Sequence, residues 1–183
     1  MAVRPIILSP DPTLRERSHY VRRVDAETQQ LIDDMIETMR AANGIGLAAI
    51  QIGVPRRVIV VEIPQEPEPE AEGNDESEEV APVPTELYVV INPKLARVSR
   101  DVEEGIEGCL SIPGWVGQVS RHRAVTVKGL DYQGKPVRIK AEGLLARVFQ
   151  HEIDHCHGVL FTDHIADAEK LWPVPEGEEE AVS

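Results

Sequence analysis

Two histidines stand four residues apart late in the chain, in the run His151-Glu152-Ile153-Asp154-His155. In an α-helix the side chains at i and i+4 project from one face, so both imidazoles can reach one metal ion. Glu152 can then act as a general base toward a water activated by that metal. The alternative is a surface helix with scattered charges. Apolar residues lead into the run and indicate a buried helix, where unpartnered histidines would be costly, so the pattern favours a metal site.

A catalytic divalent-metal site usually has three protein ligands and one open position, so a third ligand is needed. The common metalloprotease extension would place a third histidine six residues after His155, but Phe161 stands there. Cys109 is the best candidate, in a segment that its Gly and Pro residues predict to be irregular, although a small buried cysteine is the alternative. Cys156 points about 100° around the helix from His155 and is expected to be that kind of core cysteine. Two cysteines do not suggest a disulfide framework.

A third segment, GIGLAAIQ at 44–51, combines glycines with a polar side chain in an apolar stretch. The glycines permit close backbone approach to a ligand, or only tight packing. No strand opens into the segment as a dinucleotide-binding fingerprint requires. A buried amide needs partners, so Gln51 is either a satisfied core residue or a donor aimed into a site, and the residues alone do not choose between these.

The elements around these segments indicate an α+β fold, with antiparallel sheet around the histidine helix. A first helix is predicted over 25–42, with Asp25 as its N-cap and Asn43-Gly44 at its end. The histidine helix is predicted over 142–157. Strands are predicted over 58–61, 87–91, 124–130 and 136–140, the last two as a hairpin.

Composition bounds the remaining possibilities. The formal net charge of the 183-residue chain is −13, but ten acids lie in 62–86 and four in 176–183, with no base in either segment. The rest is nearly neutral, and no basic stripe indicates nucleic-acid binding. We predict one catalytic domain over 1–172, with 64–84 as an acidic, disordered loop joining two strands and 173–183 as a flexible tail. No membrane span or targeting segment is indicated, so a cytoplasmic location is expected.

Together the three segments resemble the peptide deformylase family, whose motifs are GxGLAAxQ, EGCLS and HExDH in that order. They stand here as GIGLAAIQ (44–51), EGCLS (107–111) and HEIDH (151–155). The resemblance covers roughly residues 4–165. It implies a metal-dependent enzyme that hydrolyses the N-formyl group from the formyl-methionine of new polypeptides and releases formate. The implied partners are nascent formyl-methionyl peptides at the ribosome, and the implied fold is α+β with antiparallel sheets around the HExDH helix.

The resemblance also implies the roles of individual residues. One divalent metal per chain, Fe(II) by family preference with Zn, Ni or Co possible, would be held by Cys109, His151 and His155. Glu152 would be the general acid and base, and the amide of Gln51 and the backbone N–H of Leu110 would stabilise the oxyanion. Substrate contacts would fall on the matching positions Gly44, Ile45, Gly46, Glu107, Arg147 and Val148.

Several positions depart from the family pattern, namely Ile50, Cys156, Arg147 and the acidic insertion at 64–84. None removes a ligand or the base. Arg147 stands where many relatives have an aliphatic pocket residue. Two rival functions remain to be weighed. One is an HExxH metallopeptidase that cuts internal bonds and does not need Cys109. The other is an inactive deformylase-like protein that only binds peptides or ribosomes.

Overall fold

The computed structural model describes residues 2–65 and 84–174. The described chain forms two α-helices and eight β-strands, with short 3-10 turns between them. The helices are α1 (Ala26–Ala41) and α2 (Gly143–His155). The strands are β1 (Gly46–Ala48), β2 (Val58–Pro64), β3 (Thr85–Val98), β4 (Val102–Cys109), β5 (Ile112–His122), β6 (Ala124–Leu130), β7 (Pro136–Glu142) and β8 (Leu171–Pro173).

Helix α1 begins and ends within one residue of its predicted bounds. The carboxylate of Asp25 accepts a hydrogen bond from the Thr28 backbone N–H at 3.0 Å, as an N-cap does. The chain leaves the helix through Asn43 in the left-handed region, with φ of 53°, and the Gly44 N–H closes onto the carbonyl of Met39. This exit delivers the chain directly into β1, one wall of the candidate site.

Two antiparallel sheets enclose α2, which confirms the predicted α+β architecture. One sheet has the order β1-β2-β3-β6-β7 and the other has the order β4-β5-β8. The β6–β7 hairpin confirms the predicted strand pair, with Leu130 opposite Pro136. Helix α2 buries Ala146, Val148, Phe149 and Ile153 against the larger sheet. Each Å² of apolar surface removed from water contributes about 25 cal/mol of stabilisation. This burial stabilises the helix in its place between the sheets.

The prediction of an irregular segment around Cys109 is wrong. Strand β4 pairs with β5 along its length, and Cys109 is its last residue, after a break in register at Gly108. The alternation is inverted relative to a usual strand, since Ile106 is 61% exposed while Glu107 is 0% exposed. A charged residue faces inward and an apolar residue faces outward, so the normal pattern of a half-buried strand is missing.

The two strands on either side of the acidic segment, β2 and β3, pair with each other. The N–H of Gln65 donates to the carbonyl of Pro84 at 2.7 Å, next to the paired ends of β2 and β3. The predicted disorder of this insertion concerns residues that lie outside the described ones. At the other end, β8 includes Pro173, and the N–H of Val174 bonds to the Gly114 carbonyl, so the strand reaches into the segment predicted as a tail.

No helix among the described residues is long and apolar enough to cross a membrane.

Candidate metal centre and active site

Helix α2 places His151 and His155 on one buried face. Their Nε2 atoms lie 3.2 Å apart, and the two residues are 1% and 0% exposed. Burial lowers the pKa of His155 well below its ordinary value, and the positive field of neighbouring groups adds to this. The pKa of His151 shifts the other way: although burial opposes it, hydrogen bonds with Cys109 and Glu107 raise this pKa well above its ordinary value.

The β4–β5 hairpin brings Cys109 to the same point. Its Sγ lies 3.3 Å from Nε2 of His155, and one ligand atom from each of the three residues lies within 4.8 Å of the others. At the corners of a tetrahedral site with ordinary metal–nitrogen and metal–sulfur lengths, ligand atoms are separated by about 3.3–3.6 Å. The sulfur and nitrogen donors and their separations therefore fit a single divalent transition metal.

The carboxylate of Glu107 orients the first of these histidines. Its Oε2 lies 3.0 Å from Nδ1 of His151, while Arg121 binds both carboxylate oxygens at 2.8 and 2.9 Å. Burial alone would raise the pKa of Glu107, but the hydrogen bonds from Arg121 and His151 outweigh it and hold that pKa well below the ordinary value. An ionised Glu107 accepts the Nδ1 proton of His151, which leaves Nε2 as the metal-binding atom.

A further acid extends this network toward the surface. Nη1 of Arg121 lies 2.6 Å from Oδ2 of Asp154, and Nε2 of His164 lies 2.8 Å from the same oxygen. No spacing argument from the sequence identified Arg121 or Asp154 as supporting residues. The inward position of Glu107, two residues before Cys109, is the one signal that could have suggested a buried cationic partner.

Glu152 lies beside the metal-ligand cluster without a hydrogen-bond partner. It is 1% exposed, and neither of its carboxylate oxygens has a partner among the described residues. Burial raises the pKa of Glu152 to about 7, despite the nearby His151. Gly46 in β1 makes room for this side chain, since a Cβ at that position would collide with Oε1 of Glu152. A buried carboxylate without partners beside three ligand atoms is the arrangement expected of a group that handles protons in the reaction.

Gln51 is both a satisfied residue and a donor aimed at the site. Its Oε1 accepts from the Ala48 N–H at 2.8 Å, and this bond fixes which end of the amide is which. Its Nε2 therefore points toward Ser111 Oγ at 3.2 Å and Cys109 Sγ at 3.5 Å. Gln51 therefore has partners, as a satisfied core residue does, and it also directs its amide nitrogen at the ligand cluster.

Leu110 links the hairpin to the glycine segment. It follows Cys109 directly, so its backbone N–H is one peptide bond from the sulfur-bearing residue. Its side chain lies over Gly44, where an added Cβ would be 2.6 Å from Cδ1 of Leu110. The lack of a side chain at Gly44 thus allows the hairpin turn to approach β1 closely.

The predicted substrate-contact residues fall into two groups. Gly44 and Ile45 directly precede β1 and Gly46 begins it, and β1 is an edge strand paired only with β2 among the described strands. By contrast, Val148 is 0% exposed within the apolar core. The side chains of Glu107 and Arg147 are engaged with each other and with the β4–β5 hairpin.

The remaining cysteine and histidines lie outside the cluster. Cys156 is 1% exposed in the apolar core, and burial raises its thiol pKa to about 12, so it stays neutral and structural. His122 and His157 bond to backbone carbonyls through Nδ1, and His164 contacts Asp154. His19 forms an isolated parallel bridge with Arg56 through the backbone.

Two histidines and a cysteine beside a buried glutamate, enclosed by antiparallel sheets, define a metal-dependent hydrolase. A profile of the family described as polypeptide deformylase matches residues 3–171. The chain belongs to this family, whose known reaction is the removal of the formyl group from N-terminal formylmethionine. The metal-dependent hydrolase predicted from the sequence is thereby confirmed, and a peptidase acting on internal bonds is not supported.

Individual relatives agree with the family assignment. A peptide deformylase of Thermomicrobium roseum is 52% identical over 181 residues, covering 98% of this chain and 96% of the relative. The structure of peptide deformylase from Ehrlichia chaffeensis in complex with actinonin has a TM-score of 0.79 and 39% identity, covering 93% of this chain and 92% of that one. A Met-Ala-Ser-bound class I type b peptide deformylase from Acinetobacter baumannii has a TM-score of 0.76 and 34% identity, covering 90% and 99%.

Proposed function

We propose that this chain deformylates nascent peptides with Cys109, His151 and His155 as the ligands of one metal and Glu152 as the general acid and base. The observation that carries the proposal is the convergence of three ligand atoms beside a buried carboxylate that has no partner among the described residues. When bound, the metal supplies Lewis acidity, which polarises a carbonyl and brings the pKa of water toward neutrality. We propose Fe(II) as the ion in the cell, with Zn, Ni or Co as substitutes that the same sulfur and nitrogen donors accept.

Glu152 moves the proton in this proposal. Its carboxylate accepts a proton from the attacking water and delivers it to the nitrogen of the leaving amine, as a general base that becomes a general acid. Its position on α2, directly after His151, keeps it next to the ligand atoms. Because no protein group binds its oxygens among the described residues, no ion pair has to break before the proton moves.

Gln51 and the Leu110 N–H stabilise the negative charge that develops on the formyl oxygen. The orientation of the Gln51 amide is fixed by Ala48 before substrate arrives, and one of its two N–H donors exchanges the long contact with Cys109 Sγ, at 3.5 Å, for the formyl oxygen. The Leu110 N–H lies in the tight turn that also carries Cys109. Two donors from different elements can therefore face one oxygen at the site.

Replacement of Gln51 by leucine, which has a similar volume and no donor, is expected to lower kcat by about 10²–10³-fold. The metal content should stay at the wild-type value, since Gln51 contributes no ligand atom to the cluster. Steady-state formate release together with metal analysis of the same samples checks both expectations. A decrease of less than about fivefold would remove Gln51 from the oxyanion site, because the loss of one such donor costs far more.

The substrate peptide would add to the free edge of β1 at Gly44, Ile45 and Gly46. The edge presents backbone groups that a short extended peptide can pair with, and the two glycines allow Leu110 and Glu152 to lie directly against this segment. The Acinetobacter baumannii relative binds Met-Ala-Ser, a peptide of this kind. We propose the nascent formyl-methionyl chain at the ribosome as the natural partner, and hence the cytoplasm as the location, since formyl groups are carried by newly made polypeptides.

The test compares formyl-Met-Ala with acetyl-Met-Ala as substrates for protein purified anaerobically with Fe(II). The formyl carbon bears only hydrogen, and Gly46, Glu152 and Leu110 crowd the approach to the ligand cluster, so the acetyl peptide should react at least about 10²-fold more slowly. Formate and acetate release measure the two rates. Equal rates would contradict a site shaped for the formyl group, and no formate release from folded, metal-loaded protein would contradict the proposed function itself.

A further inference from the structure

Arg147 lies one helical turn before His151 on α2, and its guanidinium faces the β4–β5 hairpin. Nη1 donates to Glu107 Oε1 at 2.9 Å and to the Val119 carbonyl at 2.9 Å, and Nη2 donates to the Glu103 carbonyl at 2.8 Å. The side chain is 12% exposed. One guanidinium thus ties the histidine helix to both strands of the hairpin that carries Cys109.

The two arginines hold the carboxylate of Glu107 in different ways. Arg121 binds both oxygens of Glu107 but belongs to β5, which pairs with the β4 strand of Glu107. Arg121 also reaches the helix, through its contact with Asp154 at 2.6 Å. Arg147 belongs to the same helix as His151, so its bond to Oε1 fixes the carboxylate relative to the imidazole that contacts Oε2. Arg147 therefore holds the carboxylate directly from the helix, whereas Arg121 holds it from β5 and reaches the helix through Asp154.

A glycine on the hairpin makes room for this guanidinium. Gly105 lies two residues before Glu107 on the same face of β4, and a Cβ there would be 2.7 Å from both Cζ and Nη2 of Arg147. Real Cβ atoms do not approach that closely, so any larger residue at 105 would displace the guanidinium. The position of the Arg147 guanidinium therefore depends on the absence of a side chain at Gly105.

We propose that Arg147 is a positioning residue of the metal site, which holds the imidazole of His151 in its ligand orientation through Glu107, and that Gly105 is required to admit it. This inference rests on the proposed role of His151 as a metal ligand. In this role Arg147 supports the metal site, which differs from lining the pocket that receives the first side chain of the substrate. Partners that orient a ligand histidine typically change metal affinity or activity by about 10–100-fold when they are lost.

The test is the metal affinity and the visible spectrum of the cobalt(II)-loaded protein. In competition with a chelator, Arg147→Met is expected to bind cobalt(II) at least about tenfold more weakly than wild type and to show shifted ligand-field bands. Arg147→Lys, which can still reach Glu107 with one donor, should recover part of the loss. The matched control is Arg40→Met, because Arg40 makes a two-point ion pair with Glu62 at 2.7 and 2.8 Å far along the chain from the cluster.

The glycine gives a second, independent variant. Gly105→Ala alone should weaken cobalt(II) binding as Arg147→Met does, whereas the double variant should bind no more weakly than Arg147→Met, because the displaced group is already gone. Cobalt(II) affinity within twofold of wild type and an unchanged spectrum in both Arg147 variants would overturn the proposal. If the wild type itself bound no cobalt(II), the proposed ligand set would be wrong. That result is distinguishable from one in which the wild type binds cobalt(II) and only the role of Arg147 is wrong.

Discussion

Substitution of Glu152 by alanine is expected to lower the rate of formate release by about 10²–10⁴-fold while the metal stays bound. The factor is what a positioned acid or base contributes to a reaction that moves a proton in its transition state. Metal binding should persist because the three ligand atoms come from other residues. Glu152 also makes no bond that supports the fold among the described residues, so its loss removes a proton carrier and little else.

The measurement is single-turnover formate release, with metal analysis and a thermal melt on the same preparation. Glu152→Gln should be impaired to a similar degree, because an amide keeps the shape but accepts no proton at neutral pH. Glu37→Ala serves as the matched control, since Glu37 is a helical glutamate on α1, on the far side of β1 from α2. A Glu152→Ala variant that bound metal and retained more than about a tenth of the wild-type rate would show that another group moves the proton.

Replacement of Cys109 by alanine is expected to abolish stoichiometric metal binding and, with it, formate release. Two histidines alone leave the site one ligand short of the three that catalytic divalent sites use. A metal held by these three residues would also connect α2 to the hairpin, because Cys109 is the end of β4 and the histidines belong to the helix. A ligand that binds only the folded state stabilises it by about 2.7 kcal/mol when present at a hundred times its Kd.

Chelator titration during thermal unfolding tests this second expectation. Addition of a chelator should lower the Tm of the wild type and leave the Tm of Cys109→Ala unchanged, since the variant has no metal to lose. Cys156→Ala is the matched control, because Cys156 is an equally buried cysteine that points into the apolar core, and it should keep metal and activity. Retention of both in Cys109→Ala would favour an HExxH enzyme with another third ligand.

The parts of the molecule that follow local rules could be predicted from the sequence. Helix α1 was placed within a residue at each end because Asp25 and Asn43 mark its boundaries chemically. The shared face of His151 and His155 follows from helix geometry alone, without knowledge of the rest of the fold. Cys109 was the best candidate for the third ligand because two histidines leave a divalent site incomplete, and the structure brings its sulfur to the two imidazoles.

The parts that depend on distant residues could not be predicted. Strand β4 was missed because its inward positions carry Gly105 and Glu107, where a strand normally has apolar side chains. The ion pair between Glu107 and Arg147 joins residues 40 positions apart, and no spacing rule connects them. These buried charges contact each other, and their roles follow only from the fold.

The hydrogen bond between Gln65 and Pro84 bears on how freely the length of the connection between β2 and β3 can vary. The two points where the chain leaves and re-enters β2 and β3 are adjacent, so the strands meet in the same way whatever length of chain connects them. Closure of a longer connection costs only about 0.6 kcal/mol for each doubling of its length. Insertions and deletions at this junction are therefore expected to be nearly neutral for folding and to leave the arrangement of Cys109, His151 and His155 unchanged.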